Sequence, residues 1–388
     1  GLLSSGCDVV DIGTVTTPIF YFARVHYDIN PGIMVTASHN PPEFNGFKVA
    51  YGPATLYGDD IQRLRVMMEK DDFISGNGSL SCKDPCEDYI NMICEKVKLS
   101  KSLRVGIDCG NGTASLFAEK LFTRLGVDVY PLYCESDPTF PNHFPDPVKP
   151  ENLADLKELV LKEKLDVGIG FDGDGDRIGV VDDKGNIIYG DMLMILFWRE
   201  IMPKYPGAIA IVEVKCSQAL VDEIKKLGGK PMFYKTGHSL IKAKMREVGA
   251  IFTGEMSGHM FFADEYYGFD DAFYAAARLL RILSNTDKKL SELLADVPKY
   301  YSTPEIRVPC PDEEKLGKVE AVKNFFKDKY PIIDVDGARI VFPDGWGLVR
   351  SSNTGPELIV RCESKTPEGL EKIKKEIQEA LAPLKVFE

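Results

Sequence analysis

The chain has 388 residues, of which 44% are hydrophobic, and a formal net charge of −12. The length predicts two to four globular domains, and the acidic balance, without basic runs that carry interleaved aromatics, argues against nucleic acid as a partner. No apolar run reaches the roughly 18 residues of a membrane-spanning helix, so we expect no membrane insertion. The nine cysteines form no metal-type pairs, which predicts mostly buried free thiols in a reducing cytoplasm.

Residues 1–80 alternate between predicted strands and helices, which favours a parallel α/β sheet. Within this unit the apolar run 33–35 indicates the end of a buried strand, and the segment 36–48, TASHNPPEFNGFK, follows it. Its Pro and Asn-Gly residues break regular structure. The segment is therefore predicted to be a stiff loop at the end of a strand, where α/β proteins hold ligands.

This loop carries the hydroxyl of Ser38, the imidazole of His39 and the ammonium of Lys48. The set suits phosphoryl transfer, with Ser38 as the acceptor, a cation that offsets phosphate charge and a group that moves a proton. A Ser-His turn with a purely structural role is the alternative. A serine hydrolase is less well supported, because the nucleophile elbow needs glycines where Thr36 and Asn40 stand.

The second unit contains an acidic loop with the sequence DGDGDR between two apolar strands. Its carboxylates alternate with glycines that allow the loop to curl, so Asp172, Asp174 and Asp176 can converge on one hard cation. An EF-hand is a poor alternative, because Arg177 takes the place of the required glycine and a strand begins where the calcium loop would continue. The remaining alternative is an acidic turn that is exposed to solvent. The Gly-x-Gly at 110–112 lacks the third glycine of a dinucleotide fingerprint.

In the third unit, polar residues follow three successive predicted strands. Carboxylates and hydroxyls can each bond more than one sugar hydroxyl, so these positions are candidates for sugar recognition. For any single one of them a structural role remains an equal alternative. The positions are Lys215, then His238 in the segment KTGH, and finally Glu255, Ser257 and His259 in the segment GEMSGH.

The C-terminal unit has the pattern of an α+β domain with mainly antiparallel strands. Its loop 350–356, RSSNTGP, offers a guanidinium and several hydroxyl and amide groups. Arg350 can form bidentate bonds with a phosphate, and Ser352, Asn353 and Thr354 add further donors. An ordinary polar hairpin loop is the alternative.

These four loops, in this order, resemble those of the α-D-phosphohexomutases, the group of phosphomannomutases and phosphoglucomutases, and the resemblance covers nearly the whole chain. It implies three α/β domains with mixed sheets and a C-terminal α+β domain around a central cleft. Family members carry several dozen residues, among them an arginine near the phosphoserine, before the part that matches Gly1. We therefore expect the N-terminal part of the first domain to be missing through trimming. The expected domains are a phosphoserine domain at 1–80, a metal-binding domain at 81–184, a sugar-binding domain at 185–297 and a phosphate-binding domain at 298–388.

The resemblance also implies a reaction, the reversible transfer of a phosphoryl group between the 1- and 6-positions of mannose or glucose phosphates. Phosphorylated Ser38 would donate its phosphoryl group and form a hexose 1,6-bisphosphate, which is also the expected activator. The bisphosphate would then turn in the cleft and return its other phosphate to the serine. Lys48 is the first choice for the proton acceptor, with His39 as a helper and Arg177 as a further catalytic residue.

Mg2+ is the implied cofactor, held by Asp172, Asp174, Asp176 and the phosphate on Ser38. Phosphosugars are the expected partners of a cytoplasmic protein that is a monomer or a weak homo-oligomer. Two alternatives remain: a phosphoglucosamine mutase, whose sugar loop usually has Gln where Met256 stands, and a non-catalytic relative that binds phosphosugar or metal. The implied substrate contacts are Lys215, His238, Glu255, Ser257, His259, Arg350, Ser352, Asn353 and Thr354.

Overall fold

The computed structural model describes residues 1–353 and 355–387. The first unit contains two small sheets and two helices. Its elements are β1 (Val9–Asp11), α1 (Thr17–His26), β2 (Gly32–Val35), β3 (Phe47–Tyr51), β4 (Ala54–Thr55), α2 (Asp59–Glu69) and β5 (Leu80–Cys82). β1 pairs in parallel with β5, but β2, β3 and β4 are antiparallel. The prediction of a parallel sheet is wrong for these three strands, because the loop after β2 reverses the chain and pairs Phe47 with Val35.

The second unit is a five-stranded mixed sheet with helices packed against it. Its elements are α3 (Cys86–Lys96), β6 (Arg104–Asp108), α4 (Ala118–Leu125), β7 (Asp128–Leu132), α5 (Ala154–Glu163), β8 (Val167–Phe171), β9 (Ile178–Asp182) and β10 (Ile187–Ile188). The strand order is β10-β9-β8-β6-β7, with β9 antiparallel to β8. Every residue of β8 and β9 is buried. The acidic loop that connects these two strands is therefore held at both ends by buried strands in the middle of the sheet.

The third unit has a parallel pair of strands and a separate hairpin. Its elements are α6 (Gly190–Ile201), β11 (Ile209–Glu213), α7 (Gln218–Lys226), β12 (Lys230–Tyr234), α8 (His238–Val248), β13 (Phe252–Gly254), β14 (Met260–Phe262), α9 (Ala272–Ser284) and α10 (Leu290–Leu293). β11 and β12 are parallel, and the turn of the antiparallel β13–β14 hairpin carries the segment 255–259. In α9, Ala272, Ala276, Leu279 and Leu283 form a buried stripe that packs into the core.

The fourth unit is a six-stranded antiparallel sheet covered by two helices, as predicted. Its elements are β15 (Tyr301–Ser302), β16 (Ile306–Pro309), α11 (Asp312–Phe326), β17 (Ile332–Ile333), β18 (Ala338–Phe342), β19 (Gly345–Ser351), β20 (Glu357–Ser364) and α12 (Pro367–Ala380). Thr366 caps α12, because its Oγ1 accepts a hydrogen bond from Gly369 N at 3.0 Å. The loop 350–356 joins the two longest strands, β19 and β20.

The first three units share one continuous apolar core, whereas the fourth has a core of its own. Phe273 of α9 stacks on Phe171 of β8 with ring centroids 4.7 Å apart, which fixes the third unit against the second. Four cysteines are buried, three are half-buried and two are exposed, so the prediction of mostly buried thiols is only partly right. Within the described residues, no helix is both long and apolar enough to cross a membrane.

Candidate active site

Ser38 lies in the loop between β2 and β3 with an unusual backbone conformation. Its φ is +55°, in the left-handed region that residues with a side chain seldom adopt. A hydrogen bond from Ser38 N to Thr36 Oγ1 at 2.8 Å holds this conformation. The Ser38 hydroxyl lies 3.1 Å from His39 Nδ1 and 3.2 Å from Asp172 Oδ2. The loop therefore presents the hydroxyl directly to the acidic loop of the second unit.

The three aspartates of the acidic loop converge as predicted. Oxygen atoms of Asp172, Asp174 and Asp176 lie within 4.8 Å of one another, and all three side chains are buried. Burial and the two neighbouring carboxylates raise the pKa of Asp172 well above its usual range. Among the residues that the structure describes, Asp174 Oδ1 is buried without a hydrogen-bond partner. A buried cluster of like charges with an unpaired oxygen fits a hard divalent cation.

Lys48 of β3 reaches into the same cluster. Its Nζ donates to Asp174 Oδ2 at 2.8 Å and also contacts Asp176 Oδ2. Burial by itself lowers the pKa of Lys48, but the carboxylates of Asp174 and Asp176 more than offset this and raise the pKa well above its ordinary value. Lys48 is therefore an ammonium that balances the charge of Asp174 and Asp176.

Arg177 links the loop 36–48, here called the serine loop, to the acidic loop and to the third unit. Its guanidinium lies 3.4 Å from His39 Nε2, 3.8 Å from Asp172 Oδ2 and 3.2 Å from His259 Nε2. Burial and the positive charge of Arg177 lower the pKa of His39 to about 4. His39 is thus neutral near pH 7 and can accept a hydrogen bond.

The turn of the β13–β14 hairpin forms the opposite side of the site. His259 Nδ1 lies 2.7 Å from Glu255 Oε2, and His259 Nε2 lies 3.2 Å from Asp176 Oδ1. Although burial alone lowers the pKa of His259, the carboxylates raise it to about 9, and the histidine in turn helps to lower the pKa of Glu255 to about 2. Ser257 Oγ is 3.5 Å from His259 Nδ1. The ion pair between His259 and Asp176 holds the turn against the acidic loop.

The two other predicted residues of the third unit have protein partners of their own. Lys215 is buried, with Nζ donating to Glu305 Oε2 at 3.0 Å. His238 begins α8, where its ring stacks on that of His259 at 5.5 Å and its Nδ1 lies 3.1 Å from Asp270 Oδ2. His238 therefore adjoins the cluster around His259. Lys215 instead contacts Glu305 of the fourth unit.

The loop of the fourth unit meets the third unit through the segment before α8. Asn353 Nδ2 lies 3.5 Å from the carbonyl oxygen of Thr236, and Thr236 N donates to Asp336 Oδ2 at 3.0 Å. The same oxygen accepts a bond from Arg350 Nε at 2.9 Å, while Arg350 Nη2 is buried with no partner in residues 1–353 and 355–387. Ser352 is buried in this loop, and Thr354 lies outside the described residues.

Three further residues support these loops and were not singled out by the sequence. Thr17 and Thr36 both donate to Asp174 Oδ2, at 2.7 and 3.0 Å. Lys315 of α11 donates to the carbonyl oxygens of Ser352 and Gly355, each at 2.9 Å. Nothing in the spacing of these three residues indicates such roles, because their partners lie far away in the chain.

Pairwise contacts thus connect loop 36–48 to the acidic loop, the acidic loop to the turn 255–259, and loop 350–356 to the segment before α8. The chain matches the four domains of one family in the same order: phosphoglucomutase/phosphomannomutase, alpha/beta/alpha domain I at residues 1–75, domain II at 87–185, domain III at 189–301 and the C-terminal domain at 305–380. The chain belongs to the phosphoglucomutase/phosphomannomutase family.

Individual relatives agree with this assignment. The chain is 46% identical over 375 residues to a phosphomannomutase/phosphoglucomutase of Pseudomonas aeruginosa, covering 96% of this chain and 81% of that protein. It is 46% identical over 378 residues to a phosphoglucomutase of Neisseria gonorrhoeae, with 96% and 82% covered. The crystal structure of a phosphoglucomutase/phosphomannomutase family protein from Burkholderia thailandensis superposes with a TM-score of 0.93 at 40% identity, covering 100% of this chain and 86% of that one.

A relative named for a different sugar phosphate has a lower sequence identity to this chain. The probable phosphoglucosamine mutase of Thermococcus gammatolerans is 35% identical over 395 residues, which cover 98% of this chain and 86% of that protein. In the present member of the phosphoglucomutase/phosphomannomutase family, the sulfur of Met256 in the turn 255–259 contacts Arg361 Nη1. Arg361 belongs to β20, so the side chain of Met256 is directed toward the fourth unit.

Proposed function

We propose that the chain is an isomerase that moves a phosphoryl group reversibly between the 1- and 6-positions of mannose and/or glucose phosphates. The observation that carries this proposal is the position of the Ser38 hydroxyl, 3.2 Å from Asp172 Oδ2 and 3.1 Å from His39 Nδ1. A nucleophile beside a carboxylate cluster and a neutral imidazole suits phosphoryl transfer. Membership of the phosphoglucomutase/phosphomannomutase family agrees with it.

The reaction runs in two balanced transfers. In the first, the bond between Ser38 Oγ and phosphorus breaks, and a new bond forms between that phosphorus and the free O1 or O6 hydroxyl of a hexose monophosphate. The resulting hexose 1,6-bisphosphate turns in the cleft. In the second transfer its other phosphorus bonds to Ser38 Oγ and the isomeric monophosphate leaves, so no oxidant or net proton is consumed.

Mg2+ is the proposed cofactor, and Asp172, Asp174 and Asp176 would hold it together with the phosphate on Ser38. The unpartnered Asp174 Oδ1 and the repulsion among the three buried carboxylates support the assignment. When bound, the ion supplies positive charge against the moving phosphoryl group.

Two cationic side chains, Arg177 and Lys48, and the neutral ring of His39 surround the reacting groups. Arg177 lies beside His39 and Asp172, where its charge can stabilise equatorial phosphate oxygens. We assign proton movement at the sugar hydroxyl to Lys48, with His39 as a helper. Lys48 must first give up its contacts with Asp174 and Asp176, which hold it as an ammonium in the present arrangement.

The remaining residues bind the substrate in this proposal. Glu255, Ser257, His259 and His238 surround the sugar ring, and Lys215 contacts the intermediate only if it leaves Glu305. Arg350 has a buried donor, Nη2, for the phosphate that does not react. Ser352, Asn353 and Thr354 complete that phosphate site, and the domains 1–80, 81–184, 185–297 and 298–388 each contribute one loop.

The proposal is tested with the purified chain, Mg2+ and a trace of glucose 1,6-bisphosphate. We expect interconversion of the 1- and 6-phosphates of mannose or glucose, faster than that of the glucosamine phosphates, and a phosphate on the Ser38 peptide by mass spectrometry. Faster turnover of glucosamine phosphates would favour the phosphoglucosamine mutase instead. Sugar phosphate binding without turnover would identify a non-catalytic relative. The accompanying proposal is that the protein is a monomer or a weak homo-oligomer in the cytoplasm.

A further inference from the structure

The hydroxyl of Thr36 lies between the backbone of the serine loop and the acidic cluster. It accepts a hydrogen bond from Ser38 N at 2.8 Å and donates one to Asp174 Oδ2 at 3.0 Å. A hydroxyl has one donor and two acceptor positions, so one threonine can serve both groups at once. Thr36 therefore connects the left-handed backbone of Ser38 to one carboxylate of the cluster.

Thr17 attaches to the same carboxylate from the start of α1. Its Oγ1 donates to Asp174 Oδ2 at 2.7 Å, and its backbone N donates to the Asp174 carbonyl at 2.9 Å. Lys48 Nζ adds a third donor to Oδ2 at 2.8 Å. All three donors thus bind one oxygen, while Oδ1 is buried and unpaired in the part of the chain that the structure describes.

The two oxygens of a carboxylate are chemically equivalent, and rotation of the terminal torsion of an aspartate exchanges them at little cost. Hydroxyl donors placed on one oxygen remove that freedom before any ion binds. The same hydroxyl of Thr36 also restrains Ser38 N, so a single contact fixes both the serine and the carboxylate.

We infer that Thr36 and Thr17 are positioning residues, which hold Asp174 so that its unpaired oxygen faces a divalent cation beside Ser38. The inference deepens the proposed function and rests on its assignment of the acidic cluster to a metal. It assigns the residues no contact with the sugar. Their substitution is therefore expected to change metal binding and turnover rather than the KM for sugar phosphate.

The direct test is calorimetric titration of the full chain with Mg2+ alone. Thr36→Val keeps the shape of the side chain and removes the hydroxyl, and we expect Mg2+ to bind about 10- to 100-fold more weakly, as on loss of other groups that orient metal ligands. Thr36→Ser keeps the hydroxyl and should bind within about threefold of the unsubstituted chain. Thr17→Val removes a donor from the other side and should weaken binding in the same direction.

Thr16→Val is the matched control, because Thr16 precedes Thr17, is fully buried and has a hydroxyl without a partner among the described residues. Its Mg2+ affinity should not change. Wild-type affinity in folded Thr36→Val and Thr17→Val, or an equal loss in Thr16→Val, would overturn the inference. If Thr36→Val does not fold by circular dichroism, the Thr36→Ser and Thr17→Val titrations decide.

Kinetics separate this inference from the proposed function. In Thr36→Val the Mg2+ concentration for half-maximal rate should rise with an unchanged KM for sugar phosphate. A chain that binds Mg2+ in the expected order of variants but turns over no hexose phosphate would contradict the proposed function and leave the positioning role intact. A chain that turns over hexose phosphate, and whose variants bind Mg2+ as tightly as the unsubstituted chain, would contradict the positioning role and leave the proposed function intact.

Discussion

Ser38 Oγ lies 3.2 Å from Asp172 Oδ2, although 134 positions separate the two residues. They belong to different units, and the loops that carry them touch along their backbones. Gly173 makes this approach possible, since a Cβ atom there would overlap the carbonyl oxygen of Ser38. The distance from the nucleophile to the acidic cluster is therefore set by a glycine of the acidic loop.

Gly173→Ala should separate the two loops and lower kcat by at least about tenfold, because phosphoryl transfer depends on sub-ångström placement. Steady-state mutase kinetics measure the effect. Gly317→Ala is the control, because a Cβ at this position of α11 meets no atom within 4 Å. An active Gly173→Ala variant would show that the loops need not be so close.

Ser38→Ala should abolish turnover, since it removes the hydroxyl that carries the phosphate, and the other hydroxyl of this loop, on Thr36, is bonded to Asp174 Oδ2. We expect a loss of more than about 1000-fold, as for other removed nucleophiles, in an assay primed with glucose 1,6-bisphosphate. Ser4→Ala, which removes an exposed hydroxyl that donates to the Gly1 carbonyl oxygen, should be fully active. Turnover by Ser38→Ala equal to that of the unsubstituted chain would refute the phosphoserine.

Asp174→Asn should weaken Mg2+ binding and the reaction rate together, because the amide keeps the shape but not the charge of the ligand. The loss should exceed about 100-fold, the upper range for groups that merely orient ligands. Titration of activity with Mg2+ measures both effects. Asp182→Asn, at a buried carboxylate that accepts hydrogen bonds from Lys184 N and Asn186 N, should leave the Mg2+ dependence unchanged. Metal-independent activity of the unsubstituted chain would contradict the prediction.

Lys315→Met should loosen the C-terminal loop, because Lys315 donates to the carbonyl oxygens of Ser352 and Gly355 at 2.9 Å. We expect KM for sugar phosphate to rise about 3- to 10-fold with a smaller change in kcat, as for lost hydrogen bonds from a charged group. Lys318→Met, one turn further along α11, is the control. An unchanged KM would mean that the loop keeps its shape without this lysine.

Because Asp271 titrates at a higher pH in the folded chain, its contribution to the free energy of unfolding should decrease as the pH rises through the weakly acid range. Burial raises its pKa to about 6, partly offset by hydrogen bonds from Tyr266, Tyr274 N and Tyr89. Because the folded pKa exceeds the unfolded one, this stabilisation is complete below pH ~4 and is lost by pH ~6, a change of about 3 kcal/mol. Asp271→Asn removes the titration.

The measurement is urea unfolding of both proteins between pH 4 and 7. The free energy of unfolding of Asp271→Asn minus that of the unsubstituted chain should increase with pH and then level off above pH ~6. The difference cancels the titration of other groups. A difference that stays constant with pH would show that Asp271 is not shifted upward.

Much of the candidate site could be predicted from the sequence because its chemistry is concentrated in short loops. The spacing of Asp172, Asp174 and Asp176 predicted their convergence, which the structure confirms. The order of the four loops predicted the family, which the comparisons confirm. The antiparallel character of the last unit also followed from local patterns.

Other features depend on neighbours that no local pattern reveals. The sequence did not predict α6, because this helix lacks the polar face of a surface helix: nine of its residues are buried, and seven of these carry large apolar side chains. It also indicated Lys48 as the proton acceptor, whereas the structure places the carboxylates of Asp174 and Asp176 beside that lysine, and they raise its pKa. Lys215, predicted to contact sugar, is engaged by Glu305 of the fourth unit.

By itself, the sequence determined which groups are available and where the chain turns, because residue type and loop composition are local properties. Only the tertiary structure decided that β2 and β3 run antiparallel, that Thr17 and Thr36 hold Asp174, and how each charge is balanced. The physical reason is that hydrogen bonding and electrostatic energy depend on distance through space, and the partners of these groups lie in other units of the chain.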